Sequence, residues 1–79
     1  MKIYNKRKTL ARIRNRIKDS HIPMNKIAYC LDITYQAFAR KMNGSREFTL
    51  QEVITISNIL ECDLYELLAF DILELEGGE

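Results

Sequence analysis

Three polar side chains in the stretch ITYQAFARKMNG have types and a spacing that could do chemistry: Tyr35, Gln36 and Arg40. On a helical wheel, Phe38 and Met42 share the side that faces a core, while Gln36 and Arg40 face away from it. Tyr35 lies between these two sides, in the first turn of the predicted helix. Arginine suits the acceptors of guanine and an amide suits adenine, so the outer face has groups that read base edges. The alternative is an ordinary solvated face, with the Tyr35 ring covering the domain's own surface.

Two short helices joined by the tight LDIT turn are predicted to position this face. Thr34 offers its hydroxyl to the first amides of the second helix, and Asn43-Gly44 ends that helix with residues that tolerate positive φ. Pro23 suits the first turn of the preceding helix. A small residue at Ala28 lets the two helices cross closely, as in a helix-turn-helix.

The rest of the chain also follows a helical period, and no linker rich in Gly, Ser or Pro divides it. Thr49 and Glu52 have the spacing of a capping box, which marks the start of a fourth helix. The predicted helices are Asn5 to Asp19, Pro23 to Leu31, Tyr35 to Met42, Leu50 to Leu60, and a short one from Asp63 that ends at Leu68 or extends to Phe70. They predict a compact, five-helix, all-α domain with little room for a deep catalytic pocket.

The charges are divided between two parts of the chain. Residues 1–46 hold all 12 lysines and arginines and two acids, a net charge of +10, whereas residues 47–79 hold nine acids and no lysine or arginine. Such asymmetry favours a basic part that meets a polyanion and an acidic part kept away from it. The alternative is attraction between oppositely charged helices within the molecule.

Residues 10–68 resemble the helix-turn-helix domain of lambda-repressor-like, Cro-type and XRE-type transcriptional regulators. The resemblance lies in an ordered set of positions: Ala28, Ile33, Phe38, Asn43-Gly44, Phe48-Thr49-Leu50 and Glu52. The chain is most similar in type to small phage regulators whose recognition helix ends in KxNG and continues R-x-F-T-L-x-E. The resemblance implies a sequence-specific regulator, a phage or prophage repressor, that reads double-stranded DNA with its third helix. It also implies a homodimer, formed in solution or only on DNA, on a palindromic operator.

Position by position, the resemblance and the helical wheel assign contacts with DNA. The residues expected to read bases are Tyr35, Gln36, Ala39 and Arg40. The contacts expected with the phosphate backbone come from helix ends and loops near the groove edges: Thr34, Lys26, Lys41, Asn43, Ser45 and Arg46. Asp32 stands where the family has a turn glycine, so we expect it to adopt the left-handed conformation.

The sequence holds no set of residues typical of catalysis or metal binding. Cys30 and Cys62 lie in apolar-periodic stretches without C-x-x-C spacing, so both are predicted to be buried thiols. His21 has no partner at ligand spacing. We therefore expect no enzyme activity, metal, cofactor or small-molecule ligand. The basic N-terminus lacks the apolar region of a signal peptide, and no apolar run is long enough to span a membrane, so we expect a cytoplasmic protein.

The two ends of the chain allow more than one interpretation. The N-terminal run KIYNKRK is either a disordered tail or an arm that follows the DNA backbone, and ILEL is either a short strand or a frayed helix end. We predict a DNA-binding domain over residues 1–70 and an acidic tail over residues 71–79, with Gly77-Gly78-Glu79 mobile. The apolar residues at this end are expected to close the core and in part to form a dimer surface. The candidates for the dimer surface are Phe70, Ile72 and Leu73.

Two other classes of function are consistent with parts of the sequence. A protein-interaction module with this fold would carry an acidic or apolar third helix, and this helix is neither. An antitoxin-like protein would wrap a partner with its C-terminal tail, whose apolar and acidic residues alternate. Copurification of a partner would favour that class.

Overall fold

The computed structural model describes residues 1–74, which form five helices and a two-stranded antiparallel sheet. In chain order the elements are β1 (Lys2–Tyr4), α1 (Lys6–Ser20), α2 (Met24–Cys30), α3 (Tyr35–Met42), α4 (Leu50–Ile59), α5 (Leu64–Leu67) and β2 (Phe70–Ile72). The five predicted helices are confirmed, the first four within one residue of their predicted ends. The fifth ends at Leu67, and Phe70, the alternative end predicted for it, lies in β2. None of the helices in this part of the chain is long and apolar enough to cross a membrane.

Caps fix both ends of α1, the longest helix. At its start the Asn5 side chain accepts a hydrogen bond from a first-turn amide (2.9 Å), and at its end His21 closes the last turn with a φ of 60°. Thr9, Ile13 and Ile17 are buried at four-residue spacing, so they form one face of the helix. The opposite faces of α1 are left to polar and cationic side chains.

A tight turn joins α2 to α3. Asp32 adopts the left-handed conformation with a φ of 60°, as predicted, and the Ile33 amide donates to the Ala28 carbonyl (3.1 Å). Ala28 itself is buried. Thr34 then begins α3, because its hydroxyl oxygen accepts a hydrogen bond from the Ala37 amide (3.1 Å). These bonds hold the two helices in a fixed relation.

Capping boxes begin α4 and α5. At α4 the Glu52 amide donates to the Thr49 hydroxyl (3.1 Å), and the Thr49 amide donates to Glu52 Oε1 (2.9 Å), as the spacing predicts. Asp63 and Glu66 form the same motif at α5. Each box satisfies two amides that would otherwise lack a partner, so these helices begin at defined residues.

The core draws side chains from every helix. The buried hydrophobic residues are Ile13, Ile17, Ile27, Ala28, Phe38, Val53, Ile56, Leu67 and Ala69. Phe48, in the loop between α3 and α4, packs against Phe38 with ring centroids 6.0 Å apart. Because Phe38 is the one fully buried residue of α3, the other sides of that helix are available for contacts outside the domain.

The all-α prediction requires correction at the two ends of the chain, where β1 and β2 pair. Lys2 lies opposite Ile72 and Tyr4 opposite Phe70, and the rings of Tyr4 and Phe70 meet edge to face at 5.8 Å. Residues 2–4 are not a disordered tail, because backbone pairing holds them to β2. The arm along the DNA backbone stays a prediction. Of ILEL, Ile72 lies in β2, and Leu75 lies outside the described residues.

The predicted boundary between residues 70 and 71 falls within β2. Asp71 accepts hydrogen bonds from Asn5 (2.8 Å) and Lys8 (2.7 Å) at the start of α1. Residues as far as Ile72 therefore pack with the helical domain. The mobility predicted for Gly77-Gly78-Glu79 concerns residues outside the described part.

A row of cations on α1 holds the acidic end of the domain. Lys8, Arg12 and Arg16 recur every four positions, so they share one face of α1. The contacts are Lys8 with Asp71 (2.7 Å), Arg12 with the Leu68 carbonyl (2.8 Å), and Arg16 with Glu66. Each of the four ion pairs among residues 1–74 joins a cation before residue 47 to an acid after residue 46. Intramolecular attraction thus accounts for part of the charge segregation.

Candidate nucleic-acid interface

The outward face of α3 exposes three side chains predicted to read bases. Tyr35 is 48% exposed, and Gln36 and Arg40 are exposed as well. Ala39 is half-buried, so only part of this small residue reaches the surface. Phe38 anchors the inward side and is fully buried. The helix therefore presents a phenol, an amide and a guanidinium on an element that is fixed from behind.

Lys41 does not belong to this outward set. Its ammonium lies 2.6 and 2.8 Å from the two carboxylate oxygens of Glu52, and the two side chains are 15% and 13% exposed. The phosphate contact predicted for Lys41 is therefore replaced by a link between the last turn of α3 and the first turn of α4. Burial raises the pKa of Glu52, but hydrogen bonds from Lys41 and Thr49 outweigh it and bring that pKa below its ordinary value.

Arg14 of α1 also holds this end of α3, a contact that sequence reasoning missed. Its Nε donates to the carbonyl of Met42, the last residue of α3 (2.5 Å). That carbonyl is one of the four that lack a partner within the helix, and a cation there is also favoured by the helix dipole. No local signal separates Arg14 from the other cations of α1, because the contact depends on how distant elements pack.

The loop after α3 folds back over the end of the helix. The amides of Ser45 and Arg46 both donate to the Arg40 carbonyl (2.9 and 3.2 Å), and the Asn43 side-chain oxygen accepts from the Ser45 amide (2.9 Å). Gly44 takes a φ of 90°, which a residue without a Cβ adopts readily. The exposed side chains of Asn43, Ser45 and Arg46 are thereby grouped beside the C-terminal end of α3.

A small cleft brings Arg40 and Arg46 to one surface. It has a volume of about 280 Å³ and is lined by Ile33, Ala37, Arg40, Lys41, Arg46 and Glu47. Neither Arg40 nor Arg46 forms an ion pair with any acid of residues 1–74, and the same holds for the exposed Lys26 on α2. These three cations can meet an anionic partner without breaking a bridge within the described chain.

Thr34 is exposed, and its hydroxyl group already makes one hydrogen bond within the chain. Its oxygen accepts the capping hydrogen bond, which leaves the hydroxyl hydrogen to donate to a phosphate oxygen. The structure places the six residues predicted to contact phosphate in two kinds of surroundings. Thr34, Lys26, Asn43, Ser45 and Arg46 are exposed at helix starts or in the loop, and Lys41 is committed to Glu52.

The cysteine prediction is wrong for Cys30, which is exposed at the end of α2, whereas Cys62 is half-buried. The apolar period continues through Cys30, but α2 is only seven residues long and Ile27 and Ala28 are its buried residues. Both thiols are free. Among residues 1–74 no group of three or more His, Cys, Asp or Glu side chains is arranged to hold a metal ion.

The chain matches no protein-family model, no curated protein and no solved structure. What α3 and its surroundings do must therefore be argued from their geometry.

Proposed function

We propose that the chain is a sequence-specific regulator of transcription, in which α2 and α3 form a helix-turn-helix and α3 enters the major groove of double-stranded DNA. One observation carries the proposal: Tyr35, Gln36 and Arg40 are exposed on the outward face of a helix whose inward side is anchored by Phe38. A major groove about 12 Å wide admits one α-helix, and these residue types match the donors and acceptors found there.

Arg40 and Gln36 supply the discrimination between bases. The guanidinium of Arg40 donates two parallel hydrogen bonds to O6 and N7 of guanine, and the Gln36 amide pairs in the same way with N6 and N7 of adenine. Tyr35 reaches past the start of α3, and Ala39 leaves room for a close approach. Each good base contact contributes roughly 1–3 kcal/mol of discrimination.

Contacts with phosphate orient the helix without reading sequence. They come from Lys26 on α2, Thr34 at the start of α3, and Asn43, Ser45 and Arg46 in the loop that follows. Lys41 contributes indirectly, since its bridge to Glu52 fixes the end of α3. Each phosphate that a cation neutralises adds about 0.9 to the slope of log K against log salt.

The regulator acts as a cytoplasmic repressor of phage or prophage type, which occupies a promoter and excludes polymerase. A homodimer matches the two-fold symmetry of a palindromic operator. Exposed apolar side chains on and just after β2 support dimerisation: Phe70 is 41%, Ile72 75% and Leu73 42% exposed. Such residues at one end of a small domain favour contact with another chain.

The same exposed residues favour a second candidate, an antitoxin-like protein or interaction module that binds another protein with its C-terminal end. Copurification with the full chain separates the two. A stoichiometric protein partner, together with DNA binding that shows no sequence preference, would favour this candidate over the regulator.

Selection from random-sequence duplexes tests the proposed function. The purified chain is expected to enrich a palindromic motif, and its binding to that motif is expected to weaken steeply as salt rises. Binding without enrichment of any motif, or no binding at low salt, would contradict the proposal. A charge-matched duplex of scrambled sequence serves as the control.

A further inference from the structure

A groove lies between α1 and the loop that joins α3 to α4, and it shares Asn43 and Arg46 of that loop with the proposed phosphate contacts. Its volume is about 690 Å³, within the range of about 300–1,000 Å³ typical of binding pockets. Its apolar lining includes Leu10 on α1, Phe48 in the loop, Leu50 on α4 and Leu68 after α5. Its cationic lining consists of Lys6, Arg7, Arg14, Lys41 and Arg46. Leu50 is 64% exposed, so water now covers much of this apolar side chain.

The edge of the groove already accepts a carboxylate. The Glu47 carboxylate lies 2.6 Å from Lys6 Nζ, and both side chains are at least 70% exposed. An exposed pair of this kind contributes about 0–1 kcal/mol, so another carboxylate can replace it with little loss. Arg7 has no ion-pair partner among residues 1–74, and Arg14 keeps its terminal nitrogens beyond its bond to Met42.

The other side of α1 shows what such cations bind in this molecule. Lys8, Arg12 and Arg16 hold residues 66–71, a run of four apolar side chains with an acid at each end. Arg7 and Arg14 are seven residues apart, so they also share a helix face. That face borders an apolar groove, and no acidic segment of residues 1–74 occupies it.

We propose that this groove binds the C-terminal tail, residues 73–79, of a second copy of the chain. The tail begins Leu73-Glu74-Leu75-Glu76, so its apolar side chains match the apolar lining and its carboxylates match Arg7 and Arg14. The inference concerns self-association and does not rest on DNA binding.

The direction of β2 favours a second copy over the chain's own tail. Leu73 hydrogen-bonds to Met1 (2.8 Å), at the end of the ladder opposite Tyr4. Tyr4 is the residue of β1 that lines the groove, so Leu73 lies at the end of the strand pair far from the groove. To reach the groove of its own molecule, the chain would have to turn back after Leu73. The tail of a neighbouring molecule can enter the groove without such a turn. Reciprocal exchange closes a two-fold dimer and continues the apolar surface of Phe70 and Ile72.

Charge exchange between groove and tail tests this inference on the full chain. Arg7→Glu alters the groove, since Arg7 is exposed and makes no hydrogen bond within residues 1–74. Glu74→Lys with Glu76→Lys alters the tail. Sedimentation equilibrium at low salt measures the dimerisation constant of each variant, and circular dichroism checks that each is folded. Lys18→Glu, on the exposed surface of α1 outside the groove, is the matched control.

The wild-type chain is expected to dimerise, and either set of reversals to weaken the dimer at least about tenfold, because like charges then meet. Combining both sets restores most of the affinity, and Lys18→Glu has no effect. In a dimer mixed from labelled and unlabelled copies, isotope-filtered NMR is expected to show contacts between Leu75 methyl groups and the Phe48 ring. A chain that stays monomeric, a dimer indifferent to the reversals, or contacts confined to one chain would overturn the inference.

Discussion

Replacement of Glu52 by glutamine tests the link that holds α3 against α4. Glutamine keeps a side-chain oxygen for the Thr49 amide, so the capping box at the start of α4 is retained. What the change removes is the negative charge facing Lys41, whose ammonium lies 2.6 and 2.8 Å from the two carboxylate oxygens. The variant therefore isolates the ion pair from the helix cap.

The magnitude follows from how far the pair is removed from water. Leaving one partner of a fully buried pair alone costs about 3–5 kcal/mol, whereas losing an exposed pair costs about 0.2–1 kcal/mol. The side chains of Lys41 and Glu52 are 15% and 13% exposed, which places the pair between these cases. We expect Glu52→Gln to lower the free energy of unfolding by about 2 kcal/mol. In a domain of this size the melting temperature falls by about 8–16 °C.

The pH dependence gives an independent signature. The pKa of Glu52 is lower in the folded chain than in the unfolded chain. Its contribution to stability is therefore complete above about pH 4.3, the ordinary value for glutamate, and is lost as the pH falls through the folded pKa. The difference in stability between the wild-type chain and Glu52→Gln should thus shrink below about pH 4.

Glu47→Gln is the matched control, because Glu47 forms an ion pair with Lys6 whose side chains are at least 70% exposed. We expect that variant to lose no more than about 1 kcal/mol. Urea denaturation at neutral and acidic pH measures both variants. Equal losses in the two, or a loss in Glu52→Gln that persists at about pH 2, would refute the reasoning.

Two further predictions concern the loop after α3 and the contact between β2 and α1. Gly44→Ala should lower the free energy of unfolding by about 1–2 kcal/mol, because φ is 90° there. The new Cβ would lie 3.5 Å from Leu10, an ordinary contact, so urea denaturation reports backbone strain, and an unchanged midpoint would contradict it. Hydrogen bonds from Lys8 and Asn5 lower the pKa of Asp71. NMR titration should find that pKa below about 3.9 and higher in Lys8→Met, and equal values in the two chains would count against the contact.

Local signals in the sequence predicted the helices and the shape of α3. Thr34, Thr49 and Asp63 each accept a hydrogen bond from an amide two or three residues away. The starts of three helices can therefore be predicted from residues that are neighbours in the sequence. The left-handed Asp32 is likewise a local property of one turn. For the same reason the outward positions of Gln36 and Arg40 follow from helical period alone.

Contacts between distant parts of the chain could not be predicted in this way. Arg14 and Met42 are 28 residues apart, and Asn5 and Asp71 are 66 apart, so their pairing depends on how whole elements pack. The two strands are three residues each, too short to show a period of two. The pairing of Lys41 with Glu52 could not be predicted either, because a cation beside an outward helix face has the same sequence signal whether it meets phosphate or a carboxylate.

The most direct test of the central claim is to repeat selection from random duplexes with Arg40→Ala and Gln36→Ala. If α3 reads bases, each variant is expected to lose preference at one or two positions of the wild-type motif and to bind it roughly 1–3 kcal/mol more weakly. Lys18→Ala, an exposed cation near the end of α1, should leave every position of the motif unchanged. A motif that stays intact in both α3 variants would contradict the account.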